Sequence, residues 1–259
     1  MTLENPGQRY DAIGKTYSRY RRPDTRVTAL IDAALGTART IINVGSGSGS
    51  YEPKRRGVVA VEPSWTMIGQ RRNEAAPVVR AVAERLPFAD DSFDVALAIL
   101  TIHHWSDCEA GLRELTRVAR RQVIMTWDPA LMAKFWLVGD YLQEISRMEA
   151  DLATLGHVEA ALNVAEIHTV PVPWDCSDGF LGAYWRRPEI YLDPAARAAI
   201  SGIARYEPSA LSHAMQRLEQ DLADGSWKRR HKDLLQLPEI DLGYRLVTAT
   251  GCRRTDVSR

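Results

Sequence analysis

At 259 residues the chain is long enough for one large domain, or for a core domain carrying a sizeable insertion. Its 45% hydrophobic and 25% charged residues are those of an ordinary soluble globule, and 33 basic residues balance 33 acidic ones. That balance gives no electrostatic footprint for nucleic acid or an anionic membrane, so neither is expected as a partner.

The first residues, Met1 to Gly7, contain no apolar stretch that would serve as a secretion signal. The best apolar run, Leu131 to Leu142, is short and carries Lys134 and Asp140, which argues against a membrane span. Cys108, Cys176 and Cys252 are odd in number and far apart. They fit a reducing cytoplasm and speak against disulfides or a thiolate zinc site, so no metal is expected.

Residues 9–26 interleave aromatic and basic side chains and end around Pro23. Two readings stay open. One is a solvated N-terminal helix; the other is a flap over a ligand, with Tyr10, Tyr17 or Arg22 meeting it. Val27 to Leu35 has helical spacing and stops at Gly36, a plausible C-cap.

Ile41-Ile42-Asn43-Val44 is a β-branched run that breaks into Gly45-Ser46-Gly47-Ser48-Gly49. It predicts a buried strand ending in a tight loop whose N–H groups converge on a ligand. The dinucleotide fingerprint wants its third glycine where Ser50 stands, and no Gly-Lys-Ser/Thr follows. Nicotinamide, flavin and phosphate-loop readings are therefore disfavoured. Only Ser50 to Gly57, with Pro53 among them, lead to the next strand, which leaves little room for a crossover helix. That strand, Val58 to Val61, ends at Glu62, where a carboxylate can accept both hydroxyls of a ribose. The alternative for Glu62 is an ordinary exposed charge.

Ser64 is a candidate N-cap for a helix at Trp65 to Ile68. Strands are predicted at Val78–Val82, Val95–Leu100 and Gln122–Trp127, with a helix over Cys108–Ala119. The alternation defines a doubly wound parallel sheet.

Four blocks in order resemble a class I S-adenosylmethionine-dependent methyltransferase of the small-molecule branch, near the ubiquinone and menaquinone biosynthesis enzymes. They are Asn43 to Gly49; Glu62-Pro63-Ser64 with Met67; Ala83 to Phe88 with Ser92-Phe93-Asp94; and His103-His104-Trp105. The resemblance implies an α/β fold with a Rossmann-like seven-stranded sheet, its last strand antiparallel, and a helical lid inserted between the last two strands. It implies S-adenosylmethionine as cofactor. Asn43, Gly45, Ser46, Gly47 and Gly49 would contact its methionine part, Glu62 its ribose, Pro63 and Met67 its adenine. Backbone at Ala83 and Glu84 would bond the adenine edge, and Leu100 would flank the sulfonium. This sequence departs from the family's usual acid at Asn43 and from a frequent aspartate at Val82. On this resemblance residues 1–36 form the flap, 37–130 the cofactor-binding core, and 131–259 the completed sheet with a lid over about 174–238.

Methyl transfer from a sulfonium needs alignment and exclusion of water, and a base only when the acceptor arrives protonated. His103 or His104, at the tip of the fourth strand, is a candidate for that base; packing and helix capping are the alternatives. Nucleic-acid amino-methylating enzymes resemble one another in an Asn/Asp-Pro-Pro-aromatic block here, whereas this chain has Ala98-Ile99-Leu100-Thr101.

Beyond the core, a helix is predicted over Leu131–Met148 and strands at Val164–Val172 and Ile240–Ala249. Lid helices are expected at Gly179–Arg187, Pro194–Tyr206, Ser209–Ala223 and Ser226–Leu237. Tyr184, Trp185 and Arg186, with Trp105 and Tyr10, are the expected acceptor contacts, and core packing is the alternative for the aromatics. The expected function is transfer of a methyl group to a small molecule. The alternative is a cofactor-binding protein that transfers nothing, a sensor or auxiliary subunit.

Overall fold

Apolar residues on both sides of a strand require cover on both faces of the sheet, and this chain supplies it from two sets of helices. In the computed structural model, which describes residues 17–54 and 56–252 and only the backbone of Tyr17, Ser18 and Cys252, the strands alternate accordingly. Ile41, Val95 and Val123 point to one core, and their neighbours Ile42, Ala96 and Ile124 to the other. The first core is completed by Val27, Ile31 and Leu35 of one helix, the second by Leu112 and Leu115 of another.

The sheet has seven strands in the order β3-β2-β1-β4-β5-β9-β6. They are β1 (Thr40–Val44), β2 (Gly57–Val61), β3 (Val78–Val79), β4 (Phe93–Ile99), β5 (Ala119–Trp127), β6 (Leu162–Thr169) and β9 (Tyr244–Cys252). The strands from β3 to β5 pair in parallel. The last, β9, lies antiparallel between β5 and β6. This is the Rossmann-like seven-stranded architecture expected. A separate two-stranded ribbon joins β7 (Val172–Pro173) to β8 (Glu239–Ile240).

Capping explains where the helices begin. A short α1 (Tyr17–Tyr20) precedes α2 (Thr25–Leu35), whose first turn is capped by Asp24 and whose end is Gly36 at φ 55°. Ser64 accepts from the Met67 N–H to start α3 (Trp65–Gly69), and Asp107 accepts from the Ala110 N–H to start α4 (Cys108–Val118). The short β1–β2 connection holds no helix among its described residues.

Several boundaries differ from expectation. The third strand is cut to Val78–Val79, because the chain turns away to bring 81–84 over the sheet end. The stretch 131–148 is not one helix. It breaks into α5 (Pro129–Met132), a π-helical turn at Leu137–Tyr141 and α6 (Glu144–Met148). After α7 (Leu155–Ala161) and β6, residues 179–187 form turns rather than a helix, since Gly179 and Gly182 admit close contacts with Tyr184 and Leu242. The remainder of the insertion comprises α8 (Pro194–Ala198), α9 (Ser201–Ala204), α10 (Pro208–Ala223) and α11 (Ser226–Arg230). Gly243, at φ 91°, separates β8 from β9 and so divides the expected strand Ile240–Ala249. Residues 1–16, which contain Tyr10, lie outside the described residues.

Candidate active site

The strand order reverses between β1 and β4, and ligands in open α/β sheets sit at the carboxyl ends beside such a reversal. A cavity of about 890 Å³ opens there. Its floor is Asn43 and the loop residues Gly45 to Ser48, whereas Gly49, an expected contact, is not in its lining; its walls are Glu62, Pro63 and Met67, residues 81–84, and Ile99 to Thr101; Arg21, His104 and Trp105 stand at its edge.

The loop holds its shape by spending its own amides. Gly45 and Ser46 N–H both donate to Val61 O, at 2.9 and 3.0 Å, Gly47 N–H donates to Glu62 Oε2 at 2.8 Å, and Gly49 N–H to Ser46 O at 3.0 Å. The expectation that the loop's N–H groups converge on a ligand is corrected at these four positions: they rigidify the loop instead. Gly45 sits at φ 70°, and a β-carbon there would fall on the Thr101 hydroxyl, so only glycine is tolerated. Beneath the loop, Arg71 pairs with Glu52 at 2.6 Å and donates to Ser46 Oγ at 3.1 Å. No local sequence signal reveals that buried pair, because its members flank the second strand.

Glu62 is buried and doubly held: Oε2 accepts from Gly47 and Oε1 from Ser64 N–H at 3.0 Å. A carboxylate only accepts hydrogen bonds, which is what the two hydroxyls of a ligand diol require. Asn43 is 2% exposed, and its Nδ2 has no hydrogen-bond partner among the described residues. A buried amide left unmatched costs about 1–3 kcal/mol and is expected to find its partner in a bound ligand. Met67 and Pro63 offer an apolar wall beside Glu62. A cofactor with a polar amino-acid end, a ribose and a flat base fits this arrangement. Glu84, by contrast, turns Oε1 of its carboxylate to Ser106 and Asp107, at 2.7 to 3.1 Å.

Arg21, not Arg22, lines the cavity; Arg22 is exposed. Arg21 is anchored by Asp178 of the lid at 2.6 Å, an interaction sequence reading missed by one position. The Tyr17 side chain lies outside the description.

A second cavity, of about 500 Å³, shares Arg21, Leu100 and His104 with the first and is closed by Trp127, Met132, Glu149, Phe180, Leu181, α9 and Tyr244. Leu100 adopts φ 49°, a left-handed conformation unusual for leucine. His103 borders the second cavity only, with its ring 3.7 Å from that of His104 and 4.7 Å from Trp127. Trp105 lines the first cavity instead.

The expected lid contacts are corrected. Trp185 is fully buried (0% exposed), and its Nε1 donates to Val172 and Pro173 carbonyls. Tyr184 packs on Tyr191, while Arg186 stacks on Trp174 and donates to Leu237 O. None of the three lines either cavity. Phe180, Leu181 and Glu149 do, and their apolar or charged character alone gave no sign of it.

Sheet order, antiparallel last strand and a glycine loop facing the Glu62 carboxylate define a class I methyltransferase architecture. Residues 42–125 match the family described as a methyltransferase domain. A demethylmenaquinone methyltransferase of Mycolicibacterium paratuberculosis is 32% identical over 199 residues, covering 71% of this chain and 83% of that protein. Its counterpart in Corynebacterium kroppenstedtii is 30% identical over 125 residues, and there the chain spans only 53% of the relative's length. Among solved structures, a candidate methyltransferase from an antibiotic biosynthesis pathway of Anabaena variabilis is 32% identical. It superposes with a TM-score of 0.81, over 90% of this chain and 100% of that one. The chain belongs to the class I S-adenosylmethionine-dependent small-molecule methyltransferase family.

Proposed function

We propose that this chain binds S-adenosylmethionine in the first cavity and transfers its methyl group to a small molecule held in the second. The observation that carries this reading is the meeting, in one cavity, of the buried Glu62 carboxylate with an Asn43 amide unmatched among the described residues. Glu62 holds the ribose, Asn43 the amino-acid end, and Met67 with Pro63 the base. Bound there, the cofactor supplies a methyl group already activated as a sulfonium. The chain's own part is alignment and exclusion of water. Leu100 and His104, common to both cavities, mark the junction where acceptor and methyl meet. Of the two histidines, His104 is therefore the one placed to hydrogen-bond the acceptor at that point.

Cytoplasmic action is part of the proposal, supported by the unbridged state of Cys108 and Cys176. Among the described residues no helix is long and apolar enough to cross a membrane. A second reading, cofactor binding without transfer, is favoured by the replacement of two usual acids by Asn43 and Val82.

Calorimetric titration with S-adenosylmethionine and S-adenosylhomocysteine tests the first step. Binding is expected, and Glu62→Ala should weaken it by about 1–3 kcal/mol. Folded protein that binds neither compound overturns the reading. Release of S-adenosylhomocysteine in the presence of an acceptor separates transfer from mere binding.

A further inference from the structure

Among the described residues that line the second cavity, Glu149 is the one carboxylate, and Arg21 the one arginine or lysine. Arg21 is already matched by Asp178, so the cavity offers no unmatched permanent cation to an anionic acceptor. Glu149 follows α6, and its Oε1 lies over Gly202 of α9, where an added β-carbon would stand only 3.0 Å away. The glycine makes room for the carboxyl. No hydrogen bond to that carboxyl occurs among the described residues, in contrast to Glu62 and Glu84. Around it, Trp127, Phe180 and Leu181 form apolar walls.

We propose that Glu149 takes the proton of the methyl acceptor, and that this acceptor is a neutral, ring-sized molecule bearing an ionisable O–H; the inference rests on the methyltransferase reading above. The step balances as follows. The acceptor's O–H proton goes to a Glu149 oxygen, and the electron pair left on the acceptor forms its bond to the methyl carbon. The pair of the breaking carbon–sulfur bond stays on the departing thioether sulfur.

Physical chemistry favours Glu149 over the histidines for this role. Proton uptake turns a partly buried carboxylate into a neutral acid, which burial favours, whereas protonating His103 or His104 would create a cation in the same walls. Burial pushes Glu149 up to about 7, and Arg205, beyond the end of α9, only partly opposes it. That places it where a general base works well at neutral pH. The other groups facing the cavity are Arg21, His103, His104 and Tyr244; burial holds the Tyr244 phenol well above its ordinary range, and so protonated.

The test uses the full chain, Glu149→Gln, and the neutral rings 2-naphthol and catechol beside anionic 2-naphthoate. Glu149→Gln should bind S-adenosylhomocysteine as the wild type does, which shows that the variant is folded. At least one neutral ring should bind the S-adenosylhomocysteine complex, about tenfold or more tighter than 2-naphthoate, and be methylated by the wild type. Glu149→Gln should then lower kcat by about a hundredfold, leave KM for S-adenosylmethionine unchanged, and abolish the rise of kcat between pH 6 and 8. The proposal is overturned if neither neutral ring binds or is methylated, if 2-naphthoate binds tighter, or if Glu149→Gln keeps wild-type turnover. Failure of the wild type to bind S-adenosylhomocysteine would instead remove the parent reading.

Discussion

The Tyr51 hydroxyl donates to Asp178 at 2.9 Å, and so ties the glycine loop to the lid. Asp178 is 0% exposed and also accepts from Arg21, while Tyr51 accepts from the Asp24 N–H at 3.3 Å. Burial first, and then the neighbouring Asp178 charge, hold the Tyr51 phenol well above its ordinary range, so it remains a donor. Loop, N-terminal segment and lid thus meet on one carboxylate. Removing one partner of a buried ion pair leaves the other uncompensated, and Asp178→Ala is expected to cost about 3–5 kcal/mol. Tyr51→Phe removes both hydrogen bonds of the hydroxyl and should cost about 1–3 kcal/mol. Urea unfolding of the three proteins measures both.

Asn43→Asp should separate stability from binding. A carboxylate in place of the buried amide is desolvated with no matching donor, so the ligand-free protein is expected to unfold at lower urea. The same charge attracts the cofactor's ammonium, so S-adenosylhomocysteine should bind more tightly. Unfolding and calorimetry on one preparation check the opposite signs.

Glycine substitutions should divide sharply. Gly45→Ala meets both a positive φ and the Thr101 side chain, and is expected to abolish cofactor binding or folding. Gly156, exposed in α7 with nothing near a new β-carbon, should gain about 0.5–1 kcal/mol as alanine. Melting temperatures of the two variants settle the contrast.

Stability should fall in acid through Asp24. Burial alone would raise this carboxyl, but hydrogen bonds from Arg26, at 2.8 and 2.9 Å, and from Ser177 N–H, at 3.1 Å, hold it well below the usual range. A folded-state value below the unfolded one, about 3.9, gives stability that is present above that pH and lost as pH falls further. Asp24→Asn should flatten the acid limb of a melting-temperature profile.

Glu149 acts with the opposite sign. Its folded-state value of about 7 lies above the unfolded one, about 4.3, so the folded protein holds a proton that the unfolded chain releases. Stability should therefore decline as pH rises between those values. Glu149→Gln removes the decline: it should melt higher than wild type at pH 8 and alike at pH 4.

The central strands were legible because they are apolar on both faces, and one helix start because Ser64 announces its cap. Glu62 and Met67 were legible because they are locally spaced from the glycine loop. What failed were features made by distant segments. Arg21 and Arg22 are indistinguishable until Asp178 chooses between them, and Trp185 reads as a ligand contact until Val172 and Pro173 claim its indole. Glu149 directly follows the stretch 131–148, whose one predicted helix is broken by a π turn, so helical spacing could not say which way it faces.

The ribbon of β7 and β8 brings the entrance and exit of the lid side by side, at strand spacing of about 4.8 Å. An insertion whose two ends emerge at one place can be exchanged for another without re-threading the sheet. The lid is in that sense a replaceable cassette, and the seven-stranded sheet its chassis. Any replacement would have to bring its own carboxylate for Arg21 and Tyr51, because the chassis leaves both of them reaching for Asp178.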